Sequence, residues 1–197
     1  MNTKGTSLAA LLLAGLCSFA CGGQAPPAAA ASEAPLASAP VTDANPVLAA
    51  AVATPAIEAQ TKAIAALGPH QQAVYPPIPF QAFAPPRPPE VVTAAFRFAA
   101  EHPEISSYVP CFCGCQQGGH KGNHDCFVRS RAANGDVIQW EEHGVECAVC
   151  IDVATRSRQL LASGASVQDI RTAIEKEFLP TAQTMTPTPK PPTAHSH

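Results

Sequence analysis

Six of the chain's eight cysteines fall within the 40 residues from Cys111 to Cys150, and their spacing constrains the fold more than any other feature. The stretch "VPCFCGCQQGGHKGNHDCFV" (109–128) alternates Cys111, Cys113 and Cys115 with Phe112 and Gly114. His120, His124 and Cys126 follow. Downstream, "HGVECAVC" adds His143, Cys147 and Cys150 at i, i+4 and i+7. Neighbours in C-x-C could bridge only through a small strained ring, because a disulfide demands specific Cα and Cβ separations. Each of the three thiols would then need a remote partner, crowding three disulfides into one knot. Convergence on metal meets no such obstacle. A loop that turns at Gly114 can aim alternating thiolates at one volume. C-x-x-C is a common ligand pair. The candidate ligands are therefore Cys111, Cys113, Cys115, Cys126, Cys147 and Cys150, with nitrogen from His120, His124 or His143.

The residues around this cluster predict a small helix-rich α+β domain over 89–180, with about three helices around a Cys-rich loop. "PPEVVTAAFRFAAEHPEI" opens on prolines tolerated in a first turn and stops near His102-Pro103. His102 is expected to cap that end. Val91, Val92, Ala95, Phe96 and Ala99 form its apolar stripe. "SVQDIRTAIEKEF" begins with Ser166 as N-cap and Asp169 three residues on. "ECAVCIDVATRSRQLLASG" reads as a further helix stopped by Gly164. The segment 126–140 fits either a hairpin turning at Asn134-Gly135 or a short helix followed by one strand. A domain of about 90 residues has a modest core, so crosslinks or metal would help it fold.

The flanks differ in composition. Residues 22–89 hold 14 prolines, much alanine and few charges, which predicts an extended tether over 21–88. Within it, "AIEAQTKAIAALGPH" predicts only a transient helix, because it lacks a wide apolar face. The segment 181–197, "TAQTMTPTPKPPTAHSH", predicts a disordered tail. Its His195 and His197 are expected to do nothing.

Residues 1–20, "MNTKGTSLAALLLAGLCSFA", carry Lys4 before an apolar run too short to span a membrane, the pattern of a secretory signal peptide. Small residues Ser18 and Ala20 precede Cys21, which resembles the lipid-modified cysteine of a bacterial lipobox. The expected protein is an exported lipoprotein, held at the membrane through Cys21 and facing the periplasm or cell exterior. Eight basic against twelve acidic side chains over 89–180, a balance of −4 (8 − 12), argue against a nucleic-acid partner.

"PCFCGC" at 110–115, the following "GHK…DCFV", the "W..HG..C..C" of Trp140 to Cys150 and the closing "S..DIR..I...F" resemble the PCYCGC-motif family of bacterial lipoproteins. Phe112 stands where that motif has Tyr. The resemblance implies lipid anchoring and a single unit of six cysteines, and it implies no reaction.

Three readings follow from the residues. The first is a soft-metal protein, with Cu(I) favoured and zinc possible, because thiolates select soft ions and carboxylates hard ones. The second is a disulfide-stapled interaction module on a stalk, which an even cysteine count in an exported domain allows. The third is a thiol–disulfide oxidoreductase using Cys147 and Cys150 near a helix start, against which Glu141, Glu142 and Glu146 supply negative charge. No nucleotide loop, nucleophile elbow or paired carboxylates are present, so binding is favoured over catalysis.

Overall fold

A computed structural model describes residues 52–193. The expected signal peptide and lipid-modified Cys21, the first part of the expected tether, and His195 and His197 lie outside the described residues. Six α-helices and one two-stranded antiparallel hairpin make up the described fold. They are α1 (Pro55–Ala65), α2 (Pro89–Glu101), α3 (Pro103–Ser106), β1 (Val128–Arg131), β2 (Val137–Trp140), α4 (His143–Glu146), α5 (Ala148–Ala162) and α6 (Val167–Phe178).

The three long helices expected from periodicity, α2, α5 and α6, form the body. α2 packs on α5, and α5 on α6. α2 buries Val92, Ala95, Phe96, Phe98, Ala99 and Ala100, and its C-cap is His102. α6 starts where Ser166 Oγ accepts from the Asp169 N–H at 3.2 Å and donates to the Asp169 carboxylate at 2.6 Å. Its inner face buries Ile170, Arg171 and Ile174. The segment 126–140 is the hairpin: Val128 faces Trp140 and Arg131 faces Val137. Gly135 takes φ 93° in the connecting turn, a conformation that Cβ-bearing residues rarely adopt. An aromatic cluster joins helix to hairpin. Phe96 meets Phe127 and Trp140 edge-on, with ring centroids 5.1 and 5.3 Å apart.

The packed body is larger than 89–180. α1 is a formed helix, capped by Thr54 and lying against α3. Its narrow apolar face suffices because another element covers it. From Gly68 onward the proline-rich chain runs along the hairpin instead of leaving the domain. The Gln72 amide exchanges two hydrogen bonds with the Val137 backbone, at 2.6 and 3.2 Å. Tyr75 stacks on Trp140 at 5.9 Å, and the Trp140 indole N–H donates to Pro76 O at 2.8 Å. Arg87 Nε donates to Asp152 at 2.7 Å. A proline-rich segment offers few backbone donors of its own, so polar side chains and stacking hold it. The tether expected over 21–88 therefore does not extend through 70–88.

The expected disordered tail is also corrected over 182–193. Thr186 is fully buried, and the Arg171 guanidinium donates to Tyr108 O and Thr188 O, each at 3.0 Å, and to Pro189 O at 2.5 Å. That segment lines the back of the Cys-rich loop.

Candidate metal centre

The Cys-rich loop is shaped by two left-handed glycines. Gly114 takes φ 87° and Gly119 φ 91°, and a 3-10 turn over Cys115–Gly118 lies between them. This turn folds Cys115 back beside Cys111 and Cys113 rather than carrying it away. The Asn123 N–H donates to Val109 O at 2.8 Å and its side-chain amide to Cys150 O at 3.1 Å, tying the loop to α5. A second 3-10 turn, His124–Cys126, places Cys126. The hairpin then returns the chain to α4. A Cβ on Gly144 would lie 2.5 Å from Cys126 O, so only glycine lets α4 rest on that backbone.

His143, Cys147 and Cys150 do not share one continuous helix. Cys147 is extended (φ −101°, ψ 104°), ends α4 and is the N-cap of α5. The break aims Cys147 and His143 toward the first-turn Cys150.

All six thiols are unbonded, and their sulfurs converge. Cys111 Sγ lies 3.2 Å from Cys150 Sγ and 3.6 Å from Cys113 Sγ. Cys113 Sγ lies 3.5 Å from Cys150 Sγ and 3.4 Å from His143 Nε2. Cys115 Sγ is 3.7 Å from Cys126 Sγ. These separations exceed the ~2.05 Å of a disulfide. Two sulfurs sharing one tetrahedral ion, at about 2.3 Å each, would stand roughly 3.8 Å apart.

Among the described residues, four sets of donor atoms lie mutually within 4.8 Å. They are Cys113, His143, Cys147 and Cys150; Cys111, Cys113 and Cys115; Cys111, Cys126 and Cys150; and Cys115, His120 and Cys126. The donor set suits a soft ion. His120 Nδ1 is buried without a hydrogen-bond partner, as an uncoordinated ligand nitrogen would be. Cys111, Cys115, Cys126 and Cys150 are buried, whereas Cys113, Cys147, His120 and His143 are half-buried on the solvent side. There an open cleft of ≈ 590 Å³ is lined by His120, His143, Cys115, Lys121, Arg129 and Glu141, among others.

The thiols shift one another's acidity. The Cys113 contact, above all, holds Cys111 well below the usual thiol range, while burial pushes Cys126 well above it. The hydrogen bond with Cys111 leads the rise at Cys150. His143 is pushed up to about 11 by Cys113 and Cys147. Close sulfur–sulfur and sulfur–imidazole contacts thus link these groups into one cluster.

His124 joins none of the four sets. It is buried, with Nδ1 3.3 Å from Asp125 Oδ1 and Nε2 accepting from Arg131 Nε at 3.4 Å. The Arg131 guanidinium also donates to Ala99 O and Ala100 O, so His124 belongs to a clamp between loop, hairpin and α2. The 3-10 turn over His124–Cys126 points it away from the sulfurs and toward Arg131.

Sequence reasoning did not single out three supporting residues. Asn123 ties the loop to α5. Thr186 accepts from the Cys111 N–H at 2.8 Å. Arg171, inside the "DIR" element, gathers the carbonyls on either side of the loop's back wall. A buried arginine position on an otherwise apolar helix face was the available signal for the last.

Neither a curated protein nor a solved structure matches the chain. The family profile described as a protein of unknown function with PCYCGC motif matches residues 82–191, which is more than half the chain and takes in both Arg87 and the tail contacts at Thr186 and Thr188. With "PCFCGC" at the head of the thiol cluster and the flanking contacts inside the matched span, the chain belongs to the PCYCGC-motif family.

Proposed function

We propose that this protein binds a soft metal, with Cu(I) favoured over zinc, and serves in its storage, delivery or sensing outside the cytoplasm. The carrying observation is the gathering of six unbonded sulfurs and two imidazoles into four overlapping donor sets. Zinc in proteins is almost always four-coordinate, and a single set supplies four donors. The other three sets offer three donors each, which suits a soft monovalent ion that accepts low coordination. The oxidoreductase reading is disfavoured by the position of Cys150. Its sulfur is in contact with Cys111 and Cys113, so Cys147 and Cys150 do not form an isolated exchanging pair.

Export through the segment 1–20 and anchoring through a lipid on Cys21 complete the proposal. A lipid anchor would keep bound metal at the membrane surface, and multiple acyl chains would make that attachment stable. The test is metal analysis, beside a free-thiol count, on full-length protein recovered anaerobically from the membrane fraction. Bound copper or zinc with six titratable thiols after metal removal supports the reading. Metal-free protein whose thiols appear only after reduction would replace it with the disulfide-stapled module. Release of the Cys21→Ser chain from the membrane fraction, or its failure to be processed, tests the anchor separately.

A further inference from the structure

The four donor sets overlap in an ordered way. Cys111 joins the set of Cys111, Cys113 and Cys115 to the set of Cys111, Cys126 and Cys150. Cys113 and Cys115 link the first of these to the two histidine-containing sets, and Cys150 and Cys126 link the second to the same two. Four metal positions have six pairwise edges, and five of those edges are bridged by one thiolate each. The remaining edge, between the set holding His143 and the set holding His120, has no shared cysteine. At that edge stand Cys147, which belongs to a single set, and the two imidazoles, whose ring centroids are 5.4 Å apart and edge-on.

Resting on the soft-metal reading, we infer that the protein builds a tetranuclear Cu(I)–thiolate cage with one open edge, and that ions enter and leave at that edge, between His120 and His143. A closed tetrahedral cage would need six bridging thiolates. Here five bridge, Cys147 is terminal, and two neutral nitrogens complete the ends of the open edge. Four Cu(I) ions against six thiolates leave a core charge of −2 (4 − 6); the adjoining cleft holds Lys121 and Arg129 but also Asp125 and Glu141, the last paired with Arg129 at 3.0 Å, so the cleft adds no net charge of its own. Four divalent ions would leave +2 (8 − 6) and three undercoordinated positions. Cys111, Cys126 and Cys150 are buried, whereas His120 and His143, at the two ends of the open edge, both line the cleft beside Cys115. Exchange there begins with displacement of nitrogen and, on the His143 side, of the terminal Cys147 thiolate; the departing ion then breaks its two remaining bonds to bridging thiolates, which stay bound to the neighbouring ions. Binding is redox-neutral: each Cu(I) replaces thiol protons, which pass to solvent, and no sulfur is oxidised.

The experiment is anaerobic titration of full-length protein with Cu(I) against a chromogenic Cu(I) chelator, with X-ray absorption on the loaded protein. The expected result is four ions per chain and a short copper–copper vector. One ion per chain without that vector would overturn the cage and leave the soft-metal reading standing. No retained copper would overturn the cage and, with it, the choice of Cu(I) over zinc. Two substitutions at half-buried cysteines probe the topology without opening the core. Cys113→Ser, which removes a bridge between two positions, should lose more ions than Cys147→Ser, which removes a terminal ligand. Equal losses would overturn the assignment of Cys113 as bridging and Cys147 as terminal. The paired substitution His120→Gln, His143→Gln should speed transfer of Cu(I) to the chelator by about tenfold or more, at least the scale on which loss of a ligand's hydrogen-bonding partner weakens a metal site. An unchanged transfer rate would place exchange elsewhere.

Discussion

Thr186 and Cys111, 75 residues apart, hold each other by backbone and side chain together. The Cys111 N–H donates to Thr186 Oγ1 at 2.8 Å, and the Thr186 N–H donates to Cys111 O at 2.9 Å. Both residues are fully buried. The first thiol of the motif is thus fixed by a segment near the C-terminus. Thr186→Val keeps the shape and removes the oxygen, leaving the Cys111 N–H buried without an acceptor. We expect a loss of about 1–3 kcal/mol in urea unfolding of the apoprotein. A change below about 0.3 kcal/mol would show that the tail contact contributes nothing to the loop.

Gly144 is the contact through which α4 reaches the cluster. A methyl there would lie 2.5 Å from Cys126 O and 2.6 Å from Phe127 Cδ1, and neither is the free end of a flexible chain. Gly144→Ala should cost about 1–3 kcal/mol by overpacking. It should also lower metal occupancy, because α4 carries His143. The unfolding midpoint and the metal content are the readouts, and loss of stability with full metal content would separate α4 from the site.

His124 sets a pH dependence of opposite sign to that of His143. Burial holds the His124 imidazole below its ordinary value of 6.5, against the raising effect of Asp125, and Arg131 lowers it further. The unfolded chain therefore takes up a proton at this position near pH 6.5 that the folded chain refuses. Stability from this group is present above pH 6.5 and lost as pH falls from there toward the folded value. The slope can reach about 1.4 kcal/mol per pH unit for one proton. His143 is raised to about 11 by Cys113 and Cys147, so its contribution is present below pH 6.5 and is lost as pH rises through about 11. Denaturant midpoints of the apoprotein at pH 5.5 and 7.5, for the natural chain and for His124→Gln, distinguish the two. The substitution should flatten the acid limb alone.

Periodicity and turn chemistry in the sequence reach only part of this arrangement. The stripe of α2, the Ser166 cap of α6 and the Asn134-Gly135 turn each state a local preference that tertiary contacts do not oppose. The three clustered motifs, C-x-C-x-C, Cys126 and C-x-x-C, likewise announce convergence, because no simple disulfide pattern accommodates them. What escapes is set by long-range pairing. "TMTPTPKPP" has no period, yet it lines the loop through Thr186, Thr188 and the buried Arg171 fork. Tyr75 sits in a proline-rich run, and its stacking on Trp140 lies 65 residues away (140 − 75). His120 and His124 share one glycine-rich loop, and only the 3-10 turn at His124–Cys126 decides that the first faces sulfur and the second Arg131. Cys147 is helical by pattern and extended in fact: it ends α4 and is the N-cap of α5.

The last prediction separates metal from disulfide as the source of stability. Ligand binding to the folded state alone stabilises by mass action, about 2.7 kcal/mol at one hundred times the dissociation constant. For a body of residues 52–193, that is on the order of 10 °C in the unfolding midpoint. Stripping Cu(I) anaerobically with a strong chelator should therefore lower the midpoint by about that amount, and adding Cu(I) back should restore it. A reductant without chelator should leave the loaded protein unchanged, because the six sulfurs are unbonded to one another. The apoprotein should remain folded, since Phe96, Phe127, Trp140, Ile151, Ile170 and Ile174 form a core that does not depend on the ion. Collapse under reductant alone, with no response to chelator, is the outcome that assigns the stability to sulfur–sulfur bonds and removes metal from the account.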